Sequence, residues 1–420
     1  MAKKVLLITY FFPPSGKATV HFPLQMIKYL PGFGCEPIVL TVENEITSMR
    51  DESLLEQIDP ALKIYKSKSF EPFDLYKKLT GKNKHDKYIE SEAISLNNES
   101  LTHRLSIWIR MNLFIPDARI GWYFSAVKKA EQIYKKEKFD SIITIGPPHS
   151  THLIGMKLSK TFNVPHIPVL IDPWVDIIYY QNFKRSKTTL MIDNHLEKKV
   201  LEHASQIIFV TETTRADYST KYSFVKNKSE VLYWGYNEDD FSNLIYREKK
   251  EEVLLHAGNI FDFQNPGNFW ASIKRQIDGG RKLKLKFIGT VSPVIKKAIA
   301  DAGLEPRTEY LGFLKYKEML TELVNADYLL VCATEPRHVP GKLFEYLRSG
   351  KPIIAFGNEN NEVKQIIEKA NAGMMFNYSE SAEEFFNKKN DFRTDIDFVK
   401  TFDRKKTAER LTETVKNLSK

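Results

Sequence analysis

Cysteine is scarce in this chain: of its 420 residues only Cys35 and Cys332 carry a thiol. Two thiols cannot build a tetrahedral zinc site by themselves, and a disulfide-stapled framework is excluded at this length. Both lie in or beside apolar runs, which predicts buried free thiols in a reducing compartment. Long hydrophobic runs are also missing, since nothing approaches the roughly 18–20 apolar residues of a membrane span. The apolar run at 5–8, behind Met-Ala-Lys-Lys, is too short for a secretory leader and lacks a small-residue cleavage site. The expectation is a cytoplasmic protein, or one held at most on a membrane surface. No repeat or low-complexity tract is visible, and the GxGxxG, GxSxG, HExxH and P-loop signatures are absent.

What is present is globular composition: 42% hydrophobic, 27% charged and 12% aromatic, which excludes a disordered or collagen-like chain. At about 100–200 residues per domain, this length implies two or three. Lys plus Arg number 62 against 53 acids, for a net charge of +9. That excess suits polyanions in general, whether nucleic acid, nucleotide phosphates or an anionic bilayer.

Short apolar runs alternate with helix-period segments from end to end. Strands are predicted at 5–9, 37–42, 141–145, 167–171, 206–210 and 230–233. After a charged bridge at 246–252 they resume at 253–256, 285–288, 309–311, 328–332, 352–356 and 374–376. Unalternated apolar strands separated by helices signal a parallel sheet covered on both faces. The chain thus reads as α/β, with two doubly wound domains at 1–245 and 246–393 and a C-terminal helix within 394–420. The stretch at about 67–112 breaks the alternation as an insertion. Its lysine-rich part at 77–87, with Trp108, Ile109, Met111 and Phe114 beyond, reads either as a solvated loop or as a membrane-facing patch.

In open parallel sheets, ligands bind beyond the carboxyl ends of the strands, so the strand-to-helix turns carry the chemistry. The first turn is Tyr10-Phe-Phe-Pro-Pro-Ser15-Gly16-Lys17, where Gly16 permits close backbone approach at a helix start. After the strand at 141–145 comes Gly146-Pro147-Pro148-His149-Ser150-Thr151-His152. These two histidines face a ligand crevice, or are structural, or form a metal pair with no third ligand nearby in sequence. Asp172-Pro173-Trp174 places a carboxylate and an indole at the next strand end.

The strongest segment runs from Pro340 through Gly341, Lys342, Leu343 and Glu345 to Gly350 and Pro352. Pro340 suits a helix start and Gly350 a helix stop. Lys342 and Glu345, three apart, share a helix face. A first-turn lysine adds to the helix dipole's attraction for a diphosphate, and a carboxylate one turn in can accept from a ribose diol. The bland alternative is an exposed ion pair.

Taken together, several blocks resemble a family 4 glycosyltransferase of GT-B architecture, of the polysaccharide or O-antigen assembly type. They are residues 10–16, Ile115-Pro-Asp-Ala-Arg-Ile-Gly-Trp122, residues 146–155, Asp172-Pro-Trp174, His256-Ala-Gly258, Asn265-Pro266 and residues 340–347, with Phe402-Asp-Arg-Lys opening the last helix. The resemblance implies two Rossmann-like domains facing a cleft, with the C-terminal helix crossing back to the first. It implies a retaining, metal-independent transfer of a hexosyl or N-acetylhexosaminyl group from a nucleoside-diphosphate sugar, without a cofactor. The acceptor would be a glycan or lipid-linked glycan in surface-polysaccharide synthesis, at the inner face of the cell membrane, with peripheral contact to anionic lipid and no nucleic acid. Carried onto this sequence, the catalytic residues would be His149, His152 and Lys342. The nucleotide sugar would meet Gly16, Lys17, Gly258, Asn259, Gln264, Phe313, Leu314, Glu335, Arg337, Gly341, Lys342, Leu343 and Glu345, and the acceptor Asp172 and Trp174.

The chain departs from the pattern in places. Lys17 stands where relatives often have glycine, and Gln264 lies where many have a basic residue. Arg337 falls eight residues before Glu345, where the family has glutamate, with Glu335 two further back. These departures keep two alternatives open: a sugar-nucleotide epimerase, which would convert donor without acceptor, and a non-catalytic GT-B subunit that binds nucleotide or glycan. They also suggest that Lys17 replaces the charge lost at Gln264.

Overall fold

The computed structural model describes residues 2–43, 50–70, 101–177, 180, 183–248 and 250–419. Two compact units make up the chain, one of residues 1–232 with 408–420, the other Tyr233–Thr407. The boundary thus precedes the charged stretch expected as a linker. That stretch is bound into the second unit instead, with Arg247 paired to Glu322, and Glu251 to Arg307 at 2.7 Å and Lys284 at 2.8 Å. Of the expected insertion, residues 71–100, including the lysine-rich part, lie outside the described residues.

In the first unit the described strands are β1 (Lys3–Thr9), β2 (Cys35–Val42), β3 (Lys63–Ser67), β4 (Ser141–Gly146), β5 (His166–Leu170), β6 (Ile207–Phe209) and β7 (Ser229–Val231). All pair in parallel in the order β3-β2-β1-β4-β5-β6-β7. The helices are α1 (His21–Tyr29), α2 (Leu101–Leu113), α3 (Tyr123–Glu137), α4 (Ser150–Phe162), α5 (Lys187–His203) and α6 (Glu212–Lys221). β1 is central, and Val5 through Ile8 are fully buried, as an uninterrupted apolar run requires. β3 is not among the predicted strands. Lys63-Ile-Tyr-Lys-Ser67 is an edge strand with two apolar residues between lysines and only partial burial, too short an apolar run to signal a strand.

The second unit holds β8 (Glu252–Ala257), β9 (Leu283–Ile288), β10 (Thr308–Gly312), β11 (Tyr328–Cys332), β12 (Ile353–Phe356) and β13 (Gly373–Phe376), in the order β10-β9-β8-β11-β12-β13. Its helices are α7 (Gly267–Asp278), α8 (Pro293–Asp301), α9 (Tyr316–Val324), α10 (Lys342–Ser349), α11 (Asn361–Lys369), α12 (Glu383–Lys388), α13 (Ile396–Val399) and the start of α14 (Arg404–Leu418). From Ala408 onward α14 belongs to the first unit.

Strand periodicity divides this sheet's side chains between two cores. Leu255, Leu329, Val331, Ile353 and Ala355 pack with Leu343, Phe344, Tyr346 and Leu347 of α10. Leu254, Leu330, Cys332, Ile354 and Phe356 pack with Phe269, Trp270 and Ile273 of α7. Cys35 and Cys332 are both buried thiols, and burial raises the pKa of each, to about 12 for Cys332. Among the described residues, no helix is long and apolar enough to cross a membrane.

Candidate functional site

Each sheet reverses its strand order once, between β1 and β4 in the first unit and between β8 and β11 in the second. There the connections leave toward opposite faces and open a crevice at the carboxyl ends. Most of the sequence-predicted site residues lie on the loops after these strands and their neighbours.

In the second unit, the turn after β8 is built on close backbone approach. Gly258 has φ +113°, and Gly289, φ +94°, packs so tightly that a Cβ there would stand 2.8 Å from the Gly258 carbonyl carbon. The Asn259 carboxamide accepts from the Thr290 N–H at 3.0 Å, pinning the turn. Lys342 opens α10 opposite it, with Nζ 2.7 Å from where a Gly258 Cβ would sit. His256 Nδ1 lies 2.9 Å from the Leu330 carbonyl, which only accepts, so Nδ1 carries the proton and Nε2 turns a lone pair toward Lys342 Nζ at 3.3 Å. Burial, reinforced by Lys342, holds His256 well below its usual range, hence neutral. Burial also brings the Lys342 ammonium down to about 8, against the opposing pull of Cys332 and Glu345. A cation at a helix start, partly stripped of water and held by a neutral imidazole, is a receptor for an anion that arrives with its own charge.

Glu345 follows one turn later and is 7% exposed. Its Oε1 accepts from Tyr316 Oη at 3.2 Å and from Arg404 Nη2 at 3.4 Å. Burial pushes its pKa up, and Arg404 opposes that shift. The loop after β11 places Glu335 and Arg337 in an ion pair at 3.4 Å. It is held by Asn360, which donates to the Glu335 and His338 carbonyls at 2.7 and 2.8 Å, and by His338 Nδ1, which accepts from Thr334 N–H. Phe313, after β10, is 87% exposed, whereas Leu314 packs against the core. Gly341 is the exposed N-cap of α10.

Two residues expected to contact the ligand have partners within the chain. Gln264 is buried, with Nε2 donating to the Cys332 carbonyl at 2.8 Å and Oε1 accepting from Phe261 N–H at 3.0 Å. Both ends of the amide thus hold the loop. Leu343 is fully buried, and its N–H bonds the Pro340 carbonyl at 2.9 Å.

In the first unit, Gly16 and Lys17 occupy the turn after β1, with the Lys17 ammonium 4.3 Å from the centre of the Phe11 ring. The turn after β4 brings His149 flat against Trp174, ring centres 5.2 Å apart and 7° from parallel. Gly146 makes room for this: a Cβ there would meet His152 Nε2 at 2.5 Å and His149 Nδ1 at 3.1 Å. Burial holds His149 down to about 3, against the favourable Pro173 carbonyl. His152 lies beside His149, ring centres 5.6 Å apart. Its Nδ1 and the Nε2 of His166 share the Thr144 hydroxyl at 2.8 Å each, and all three residues are fully buried. This is a core triad behind the turn.

Trp174 is fixed from behind. Its Nε1 donates to Asp193 at 2.8 Å, and Asp193 also pairs with Arg185. Its backbone N–H donates to Tyr218 Oη at 2.8 Å, which in turn donates to Glu197 at 2.7 Å; Glu197 also accepts from Val175 N–H. Asp172 opens the same loop and is half-buried. Asp117 accepts from the Ser150 N–H and hydroxyl at 2.8 and 2.9 Å, capping α4 beside His149. Asp193 and Glu197, four apart on one helix face, are visible in the sequence only as ordinary polar residues, and Asp117 only as part of the block at 115–122. His256, Asn360, Tyr316 and Arg404 likewise acquire their places through packing.

Residues 251–394 match the family described as Glycosyl transferases group 1. No curated protein matches the chain. Among solved structures, Anabaena HepE in complex with UDP and glucose is similar at a TM-score of 0.61 and 13% identity, covering 99% of this chain and 100% of that one. Sucrose-phosphate synthase from Thermosynechococcus elongatus is similar at 0.59 and 14%, covering 99% and 96%. The lipopolysaccharide outer core galactosyltransferase WaaB, in its apo form, is similar at 0.55 and 14%, covering 99% and 98%. At such identities the likeness concerns the fold. The chain therefore has the GT-B fold of two Rossmann-like domains, and its second unit carries a domain of the glycosyl transferases group 1 type.

Proposed function

We propose that this chain is a retaining glycosyltransferase of the family 4 kind. It would move a hexosyl or N-acetylhexosaminyl group from a nucleoside-diphosphate sugar to a glycan or lipid-linked glycan, in cell-surface polysaccharide synthesis at the inner face of the membrane. The observation that carries this reading is the Lys342 ammonium at the start of α10, held by neutral His256 over the Gly258 turn, inside the region of family match. Charge develops on the leaving diphosphate during transfer, so a fixed cation and helix N–H groups there lower the barrier without a metal. Glu345, one turn inward, is the carboxylate assigned to accept from a ribose diol. His149, backed by Trp174, is the first-unit group assigned to the sugar, while Asp172 and the Trp174 loop are assigned to the acceptor. The HepE structure holding UDP supports a nucleoside diphosphate as the ligand class.

The test is a thermal-shift screen of nucleotide sugars, followed by turnover with a lipid-linked acceptor in excess chelator. Stabilisation by one nucleoside diphosphate and chelator-resistant transfer are expected. Loss of turnover in chelator, restored by magnesium or manganese, would count against the mechanism. Conversion of donor without acceptor would replace it with epimerisation.

A further inference from the structure

The first unit leaves large apolar side chains in water on two neighbouring helices. On α2 these are Leu105, Trp108 and Leu113, 58%, 48% and 62% exposed; on α5 they are Leu190, Met191 and Ile192, with Met191 67% exposed. Asn112 joins the two sets. Its side chain donates to the Trp108 carbonyl and to the Lys184 carbonyl and accepts from Ser186 N–H, while its own carbonyl accepts from the Thr189 hydroxyl. The end of α2 and the start of α5 therefore form one surface.

The exposed charges described within 101–113 and 184–199 are basic. No Asp or Glu occurs in Leu101–Leu113. From 184 to 199, the two acids, Asp193 and Glu197, are fully buried and paired inward, whereas Lys184, Lys187, Lys198 and Lys199 are exposed; the next acid, Glu202, is exposed and pairs with Lys198 at 3.5 Å. An apolar patch containing Trp and Met, with Lys184 and Lys187 exposed at the entry to α5, matches the interface of an anionic bilayer. A groove or backbone reader of nucleic acid would not need the leucine and methionine, and a soluble face would not keep them.

We infer that the shared outer face of α2 and α5 docks on an anionic lipid surface. This rests on the proposed peripheral attachment and names the residues that make it. The lysines supply long-range attraction, and the indole and aliphatic groups then enter the headgroup region.

The experiment is sedimentation of the full chain with vesicles of phosphatidylcholine, alone or with about one-third phosphatidylglycerol, and needs no nucleotide. Binding is expected only with the anionic lipid, and it should weaken as salt is raised. Lys184→Ala with Lys187→Ala should lower the partition coefficient by roughly 30-fold, from about a factor of five per lysine. Trp108→Ser with Met191→Ser should lower it at least about tenfold. Both pairs should keep the parent's melting temperature, because the altered side chains are exposed. Equal vesicle binding by parent and both variants would overturn this face while sparing peripheral attachment. No binding to anionic vesicles would overturn both. A self-association lost in the Trp108/Met191 variant, without vesicle binding, would reassign the face to a second copy of the chain.

Discussion

Raising the pH should remove nucleotide affinity through a single side chain. Lys342 carries a free-state pKa of about 8 because it is buried against His256. A bound diphosphate would supply the opposite charge and return the ammonium toward its ordinary value of about 10.4. Above about pH 8 the free protein must therefore take up a proton in order to bind. The sign follows from the lysine being a base with a lower pKa free than bound: affinity is complete below about pH 8 and declines as pH rises through it. The charged fraction drops from about nine-tenths at pH 7 to about one-tenth at pH 9, so the dissociation constant should rise about tenfold. Lys342→Met should cost roughly 10–150-fold at pH 7, corresponding to about 1.5–3 kcal/mol for a charge-assisted bond. Subtracting its pH profile from the parent's removes any ionisation of the base. Calorimetry at about pH 8.5 in two buffers of different ionisation enthalpy should show proton uptake in the parent and none in Lys342→Met. Parallel pH profiles for the two proteins would refute the reasoning.

Three further outcomes follow from the same geometry. His149 and His166 are held to about 3 and His152 well below its usual range, all by burial, while an unfolded histidine binds its proton at about 6.5. Stability should thus be complete above about pH 6.5 and lost as pH falls toward about 3, by about 2 kcal/mol per histidine at pH 5; a urea midpoint constant from pH 7 to 5 would contradict this. Gln264→Arg should destabilise by at least about 1–3 kcal/mol, because Phe261 N–H and the Cys332 carbonyl lose their partner; an unchanged melting temperature with tighter nucleotide binding would restore the site reading. Gly289→Ala should cost about 1–3 kcal/mol through its left-handed backbone and its clash with Gly258, and should weaken nucleotide binding in parallel, as titration calorimetry would show.

Local chemistry alone determined the architecture. Apolar runs such as 5–9 and 328–332 fill central parallel strands because they must be buried on both faces, and that demand is written into every residue of the run. Pro340 and Gly350 bounded α10 for the same reason: backbone freedom is a property of the residue itself. The edge strand Lys63–Ser67 carries a weaker signal because only partial burial is demanded of its residues.

Tertiary structure decided which polar groups are paired with which. Gln264 and Glu335 look equally available in sequence, but one is spent on Phe261 and Cys332 while the other pairs with Arg337. His149 and His152, three apart, both lie near the Trp174 indole, but His149 stacks flat on it while His152 is tilted and bonds a threonine on β4. Asp193 and Glu197 became the backing of Trp174 through contacts some twenty residues away in the chain. A hydrogen bond needs its partner within about 3 Å, and only the folded chain brings distant partners that close.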